Sequence, residues 1–221
     1  MAPMRIAFFG GTFDPPHLGH LGLARAAQQA LALDKVLFAP VAQQPLKPLG
    51  SSASFEDRVA MTQLAIKGQP NFEISLADAP NPAIPSNYTA DTLTHLRHSL
   101  PADTDLYLLV GADSLRTLAQ WHRAAEIPFL ANLIVAARPG EDLTDISTHL
   151  PAGIAIQRTQ PNRYRLANVH GQQSQLTLLL DTHYEISATQ LRNSIRRNPS
   201  IQPPLIPEPV LEYIHHHHLY Q

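Results

Sequence analysis

The sequence contains no cysteine, which excludes a disulfide framework and thiolate chemistry. It has no run of about 18 apolar residues, so no segment reads as a membrane span. Met1-Ala2-Pro3-Met4-Arg5 leads directly into a strand pattern. That leaves no room for a signal peptide, and the expected location is the cytoplasm. The sequon Asn87-Tyr88-Thr89 is then irrelevant as a glycan site. The formal net charge is only −2, so no global field attracts nucleic acid or anionic lipid, and any anion site has to be local. Neither G-x-x-x-x-G-K-[ST] nor a G-x-G-x-x-G after a strand occurs, which removes the main support for a P-loop or a dinucleotide dehydrogenase. A fixed acidic metal cluster is missing. Lysine is scarce: Lys35, Lys47 and Lys67 are the only three among sixteen basic residues. The rest are arginines, whose planar forks suit phosphate and carboxylate.

What is present is an ordinary globular composition, 221 residues with 44% hydrophobic. A chain of this length buries roughly 70–75% of its unfolded surface, enough for a full core. Short apolar runs at Arg5–Phe9, Lys35–Val41, Phe72–Leu76, Leu106–Val110, Leu133–Ala137 and Leu176–Leu180 read as strands covered on both faces. Between them lie helix patterns at Leu18–Leu33, Phe55–Lys67, Thr89–Ser99, Ser114–Ala119, Thr189–Arg197 and Pro207–Leu219. Ser54 precedes the second of these, with Asp57 at the capping-box position. The alternation predicts one α/β domain over residues 1–221, a mainly parallel sheet with helices on both faces, and a small C-terminal helical part from about 187. In such sheets ligands sit outside the carboxyl ends of the strands. The polar stretch Gln157–Gln175, with turn signals at Pro161-Asn162 and Gly171, is consistent with either a hairpin or an irregular excursion.

The most informative stretch is Phe8–His20, "FFGGTFDPPHLGH". Gly10-Gly11 ends the first strand, where backbone without a Cβ lets a ligand approach closely. Asp14-Pro15-Pro16 breaks the strand, and the prolines are expected in the first helical turn. A helix N-terminus presents free N–H groups and positive dipole to an anion. His17 and His20 share one face of that turn. Three roles are open to them: core or cap residues, a metal pair needing Asp14 as third ligand, or a phosphate clamp. The clamp needs only what is already visible. A second positive helix start lies at Ser187-Ala188-Thr189, with Arg192 one turn on. Arg196 and Arg197 read as a solvated face. Asp113 follows a strand, where a carboxylate can cap the next helix or meet ribose hydroxyls. His215–His218 reads as helix surface with adventitious affinity for nickel or zinc.

"GGTFDPPHLGH" resembles the signature of the HxGH nucleotidyltransferases, and its long form is similar to that of the nicotinate-nucleotide adenylyltransferase family. "FAPVAQQPLKP", "NYTADTL", "GADSLRTLAQW", "ARPG", "ISATQLR" and "PEPVLEYI" followed by "LY" resemble further segments of that family, in order and over nearly the whole chain. The resemblance implies a Rossmann-like nucleotidyltransferase fold. It also implies adenylyl transfer from ATP to nicotinate mononucleotide, with release of pyrophosphate and Mg²⁺ arriving on ATP. His17 and His20 are the implied catalytic pair, expected to be protonated among phosphates. Gly10, Gly11, Thr12, Phe13, Gly111, Arg138, Ser187, Thr189 and Arg192 are implied on the ATP side. Lys47, Tyr88, Thr89, Asp113 and Trp121 are implied on the acceptor side, with Trp121 against the pyridine ring and Lys47 at the acceptor phosphate. Leu46 departs from the family pattern, in which histidine commonly precedes that lysine. Other acceptors (nicotinamide mononucleotide, phosphopantetheine) and a non-catalytic dinucleotide-binding module remain as alternatives. A homo-oligomer is left open.

Overall fold

A computed structural model describes residues 2–43, 50–82, 86–137, 146–180, 186–198 and 205–221. Among these residues eight strands form one sheet: β1 (Arg5–Gly11), β2 (Lys35–Pro40), β3 (Phe72–Ile74), β4 (Asp105–Gly111), β5 (Asn132–Ala136), β6 (Ile154–Gln160), β7 (Arg163–Asn168) and β8 (Gln173–Leu179). Their spatial order is β3-β2-β1-β4-β5-β8-β7-β6. The first five and β8 run parallel, while β6, β7 and β8 pair antiparallel.

Among the described residues seven α-helices cover the sheet: α1 (Leu18–Leu31), α2 (Phe55–Ile66), α3 (Thr89–Ser99), α4 (Ala112–Thr117), α5 (Ile127–Leu130), α6 (Ala188–Arg197) and α7 (Glu208–His216). Side chains alternate across a strand, so a strand buried on both faces feeds two cores. Ala7 and Phe9 of β1 and Leu109 of β4 pack with Leu21, Met61, Leu191 and Val210 from α1, α2, α6 and α7. Ile6 and Phe8 of β1 and Leu108 of β4 pack with Leu93, Leu115 and Ile127 from α3, α4 and α5. Helices on both faces of a mainly parallel sheet are the arrangement expected from the sequence.

The structure revises several local expectations. The polar stretch 157–175 is ordered as two antiparallel connections, with turn residues Asn162 at φ 60 and Gly171 at φ 79. Pro15 and Pro16 precede α1 rather than opening it, because His17 is the N-cap. Gly111, not Asp113, caps α4, which continues into a 3₁₀ turn at Leu118–Gln120. Tyr88, not Thr89, occupies the N-cap position of α3. Asp57 does complete a cap: its backbone N–H donates to Ser54 Oγ at 3.0 Å. Strand order reverses between β1 and β4, which opens a crevice at their carboxyl ends.

Candidate active site

The turn from β1 into α1 is built as one unit. A Cβ on Gly11 would meet the Phe13 ring at 3.0–3.2 Å, and one on Gly10 the Phe8 ring at 3.1 Å. The two glycines therefore make room for the protein's own rings as well as for backbone approach. Phe13 has a positive φ of 48 and a buried ring, so any ligand contact there falls to its backbone. Thr12 Oγ1 is buried without a hydrogen-bond partner among the described residues. The Asp14-Pro15 peptide is cis.

His17 and His20 stack, with ring centroids 3.7 Å apart and planes inclined by 23°. The His17 backbone N–H donates to His20 Nδ1 at 3.2 Å. His20 thus closes the first turn of α1 as a Glu or Gln closes an ordinary capping box. With Nδ1 accepting, the neutral ring carries its proton on Nε2. The ring also packs edge-on against Phe13 at 4.9 Å. Burial, and then the positive charge His17 can carry, push His20 well below the usual imidazole range. The expectation of protonation concerns the histidines among phosphates; in the protein alone His20 is held toward the neutral form. Two stacked, desolvated imidazoles repel as cations, and only incoming phosphate charge reverses that balance.

The second helix start converges on this turn. Arg192 Nη1 donates to the Asp14 carbonyl at 2.7 Å, across 178 residues, and Nη2 donates to Thr189 Oγ1 at 3.2 Å. Ser187 caps α6 by accepting from the Gln190 backbone N–H at 3.5 Å. Arg192 and Thr189, near the start of α6, are thereby joined to the turn that carries His17 and His20. Asp14 itself is a hub that sequence reasoning missed. Its carboxylate, 3% exposed, accepts from Ser52 N–H at 2.7 Å, Ala53 N–H at 3.2 Å and Tyr220 O–H at 2.7 Å. Arg58 was missed as well. It is buried and donates to the carbonyls of Thr12 and Val41, both at 2.8 Å, pinning the loops after β1 and β2 to each other. Burial works against its charge and the Asp14 carboxylate supports it. A cavity of about 700 Å³ opens beside this junction, lined in part by Gln43, Ser52, Arg58 and Asn87.

The other wall carries aromatic groups. The Tyr88 and His122 rings lie with centroids 4.4 Å apart and planes tilted by 36°, and Trp121 Nε1–H donates to Thr117 Oγ1 at 3.2 Å. Arg123 reaches back to Asp91 in the first turn of α3 at 2.6 Å, which sets Tyr88 and Thr89 against the Trp121-His122 segment. Asp78 links this wall to β1. Its buried Oδ1 accepts from Thr92 O–H at 2.5 Å, and its Oδ2 lies 3.7 Å from the place a Gly10 Cβ would occupy. Burial raises the Asp78 carboxyl above the usual carboxylate range. His122, Arg123 and Asp78 carry no recognisable local motif.

At the end of β4, Gly111 faces open space and Asp113 is exposed, paired with Arg116 at 3.1 Å. Lys47, Leu46 and Arg138 lie outside the described residues. The histidine run ends α7: His217 stacks on Tyr213 at 4.1 Å and His218 has φ 53. Among the described residues no group of three His, Cys, Asp or Glu is placed to hold a metal ion. None of their helices is long and apolar enough to cross a membrane.

A profile of the Cytidylyltransferase-like family matches residues 8–194. The chain is 40% identical to a "Probable nicotinate-nucleotide adenylyltransferase" of Trichlorobacter lovleyi, over 99% of this chain and 100% of the relative. It is 37% identical to a protein of the same name from Gloeobacter violaceus, over 98% and 96% of the two chains. The structure resembles the Plasmodium falciparum nicotinic acid mononucleotide adenylyltransferase complexed with NaAD, with a TM-score of 0.69, 16% identity, and coverage of 98% of this chain and 97% of that one.

Proposed function

The chain belongs to the Cytidylyltransferase-like family, among its nicotinate-nucleotide adenylyltransferases, and on that premise we propose how its own residues carry adenylyl transfer from ATP to nicotinate mononucleotide. The products are nicotinate adenine dinucleotide and pyrophosphate. One observation carries the assignment of roles: the stacked His17–His20 pair and the Arg192 end of α6 meet at Asp14, so two cationic or donor-rich helix starts face one crevice.

The acceptor phosphate is already an anionic nucleophile near pH 7, because its second pKa is about 6. No general base is required. The protein has to align the acceptor phosphate with the α-phosphate and stabilise the charge that builds as the α–β bridge breaks. His17 and His20 take the α-phosphate. His20 offers Nε2–H, since its Nδ1 is engaged within the turn. Phosphate charge beside the rings favours their protonation as the triphosphate arrives. Ser187, Thr189 and Arg192 take the β- and γ-phosphates, and the backbone of residues 10–13 and Gly111 borders the nucleotide. Arg138 is assigned to the adenosine side.

On the acceptor side, Trp121 covers the pyridine ring. Tyr88 and Thr89, at the positive start of α3, read the nicotinate carboxylate. Asp113 takes ribose hydroxyls and Lys47 the acceptor phosphate. Mg²⁺ enters as part of the ATP substrate, held by phosphates and water. The same single domain performs the reaction in the cytoplasm.

The test is pyrophosphate release from ATP, measured side by side with the acid and the amide mononucleotide. Release with the acid acceptor is expected. Release with the amide alone overturns the acceptor assignment. No release with either, while the dinucleotide still binds, favours a binding module.

A further inference from the structure

We propose that the Tyr220 hydroxyl, acting through the Asp14 carboxylate, is a positioning group for adenylyl transfer. The inference rests on the adenylyltransferase reading above and adds a residue that touches neither substrate. Tyr220 is 7% exposed and donates to Asp14 Oδ1 at 2.7 Å, across 206 residues. Among the described residues its other hydrogen-bond contact is Met61 Sδ at 4.0 Å, too distant to replace that bond. The second donor to Asp14 Oδ1 is the Ala53 N–H at 3.2 Å, and the Ser52 N–H holds Oδ2 at 2.7 Å. The same residue's carbonyl receives Arg192.

Asp14 therefore sets the relative position of three parts of the site: the turn carrying His17, the segment that follows the acceptor loop, and α6. A buried carboxylate deprived of a donor re-aims toward whatever donor remains. Its nearest cation is Arg192 Nη1, at 3.9 Å from Oδ2. Loss of the Tyr220 donor removes one of three tethers on Asp14, whose backbone lies three residues before His17. Misplacement of reacting groups by about 1 Å costs on the order of a hundredfold in rate.

An internal control exists. Tyr213 O–H donates to Asp57 Oδ1 at 2.9 Å, so α7 carries a bond of the same chemistry that leads to the cap of α2 instead of the histidine turn. The experiment compares wild type, Tyr220→Phe and Tyr213→Phe in kcat, in KM for ATP and nicotinate mononucleotide, and in Tm. Assays run well below the Tm of each variant. Tyr220→Phe is expected to lower kcat at least tenfold with both KM values within threefold, and Tyr213→Phe to leave kcat within twofold. A staple without a positioning role would lower Tm alone. Tyr220→Phe with kcat within twofold of wild type, or an equal loss in Tyr213→Phe, overturns the proposal. An inactive wild type fails the adenylyltransferase reading instead.

Discussion

His20 serves two purposes with one ring. Nδ1 closes the first turn of α1, and Nε2–H is left for chemistry. Removing one transition-state donor costs roughly 3–4 kcal/mol, a 100- to 1,000-fold loss of rate. His20→Ala is expected to bind both substrates and turn over at least 100-fold more slowly, read from kcat at saturation. The ring also gives stability a pH dependence of predictable sign. Its basicity in the folded protein is lowered by burial and by His17, so the unfolded chain binds the proton more readily. Stability contributed by the neutral ring is present above about 6.5 and is lost as pH falls below it. His20→Gln keeps a capping-box side chain and removes the titration. Denaturant unfolding at pH 7.5 and 5 should show the wild type losing ground to this variant at the lower pH; parallel losses would refute the argument. The histidines, the glycines and Arg192 could be read from the sequence because their motifs are local. Asp14, Arg58 and Tyr220 could not. Their work lies in contacts across 17 residues or more, from Arg58 to Val41 up to Tyr220 to Asp14 at 206, and no local spacing encodes it.

Among the elements, α6 shows how one short helix divides its labour. Leu191 and Ile195 bury its inner face, Arg196 is exposed, and Arg192 turns toward Asp14. Arg192→Ala removes a charge-assisted hydrogen bond of about 1.5–3 kcal/mol and the implied phosphate contact. KM for ATP is expected to rise about 10- to 100-fold, with kcat also lowered. Arg196→Ala should stay within twofold on both, and initial rates over a range of ATP concentrations distinguish the two. The parallel strands were legible because burial on both faces leaves continuous apolar runs. β6 and β7 were not, because their packing is thin. Along β6 only Ile154 and Ile156 approach the core, and in β7 Leu166 alone is fully buried. A strand whose faces both meet water leaves a polar sequence that reads equally well as a loop.

For the molecule as a whole, the two cores fix strands β1 and β4 from opposite faces, while the crevice between their carboxyl ends stays polar. Substrates that bind only the folded form add stability by mass action. At 100 times Kd the gain is about 2.7 kcal/mol. For a chain of this size each kcal/mol raises Tm by about 2–4 °C, so saturating ATP should raise it by about 5–10 °C in a thermal shift experiment. The same measurement with a neutral nucleoside should give a clearly smaller shift, since the proposed site grips phosphate.

The contacts that seat the histidine turn have an order in time. Asp14 leaves the ribosome early, whereas Arg192 and Tyr220 are added 178 and 206 residues later. A nascent chain that already displays both imidazoles still lacks the groups that aim them. On the proposed role of Tyr220, such a chain is expected to turn over slowly until the segment carrying that residue has emerged. Removal of the last residues, Tyr220 included, is expected to slow the finished enzyme in the same way while leaving Arg192 and both histidines in the chain.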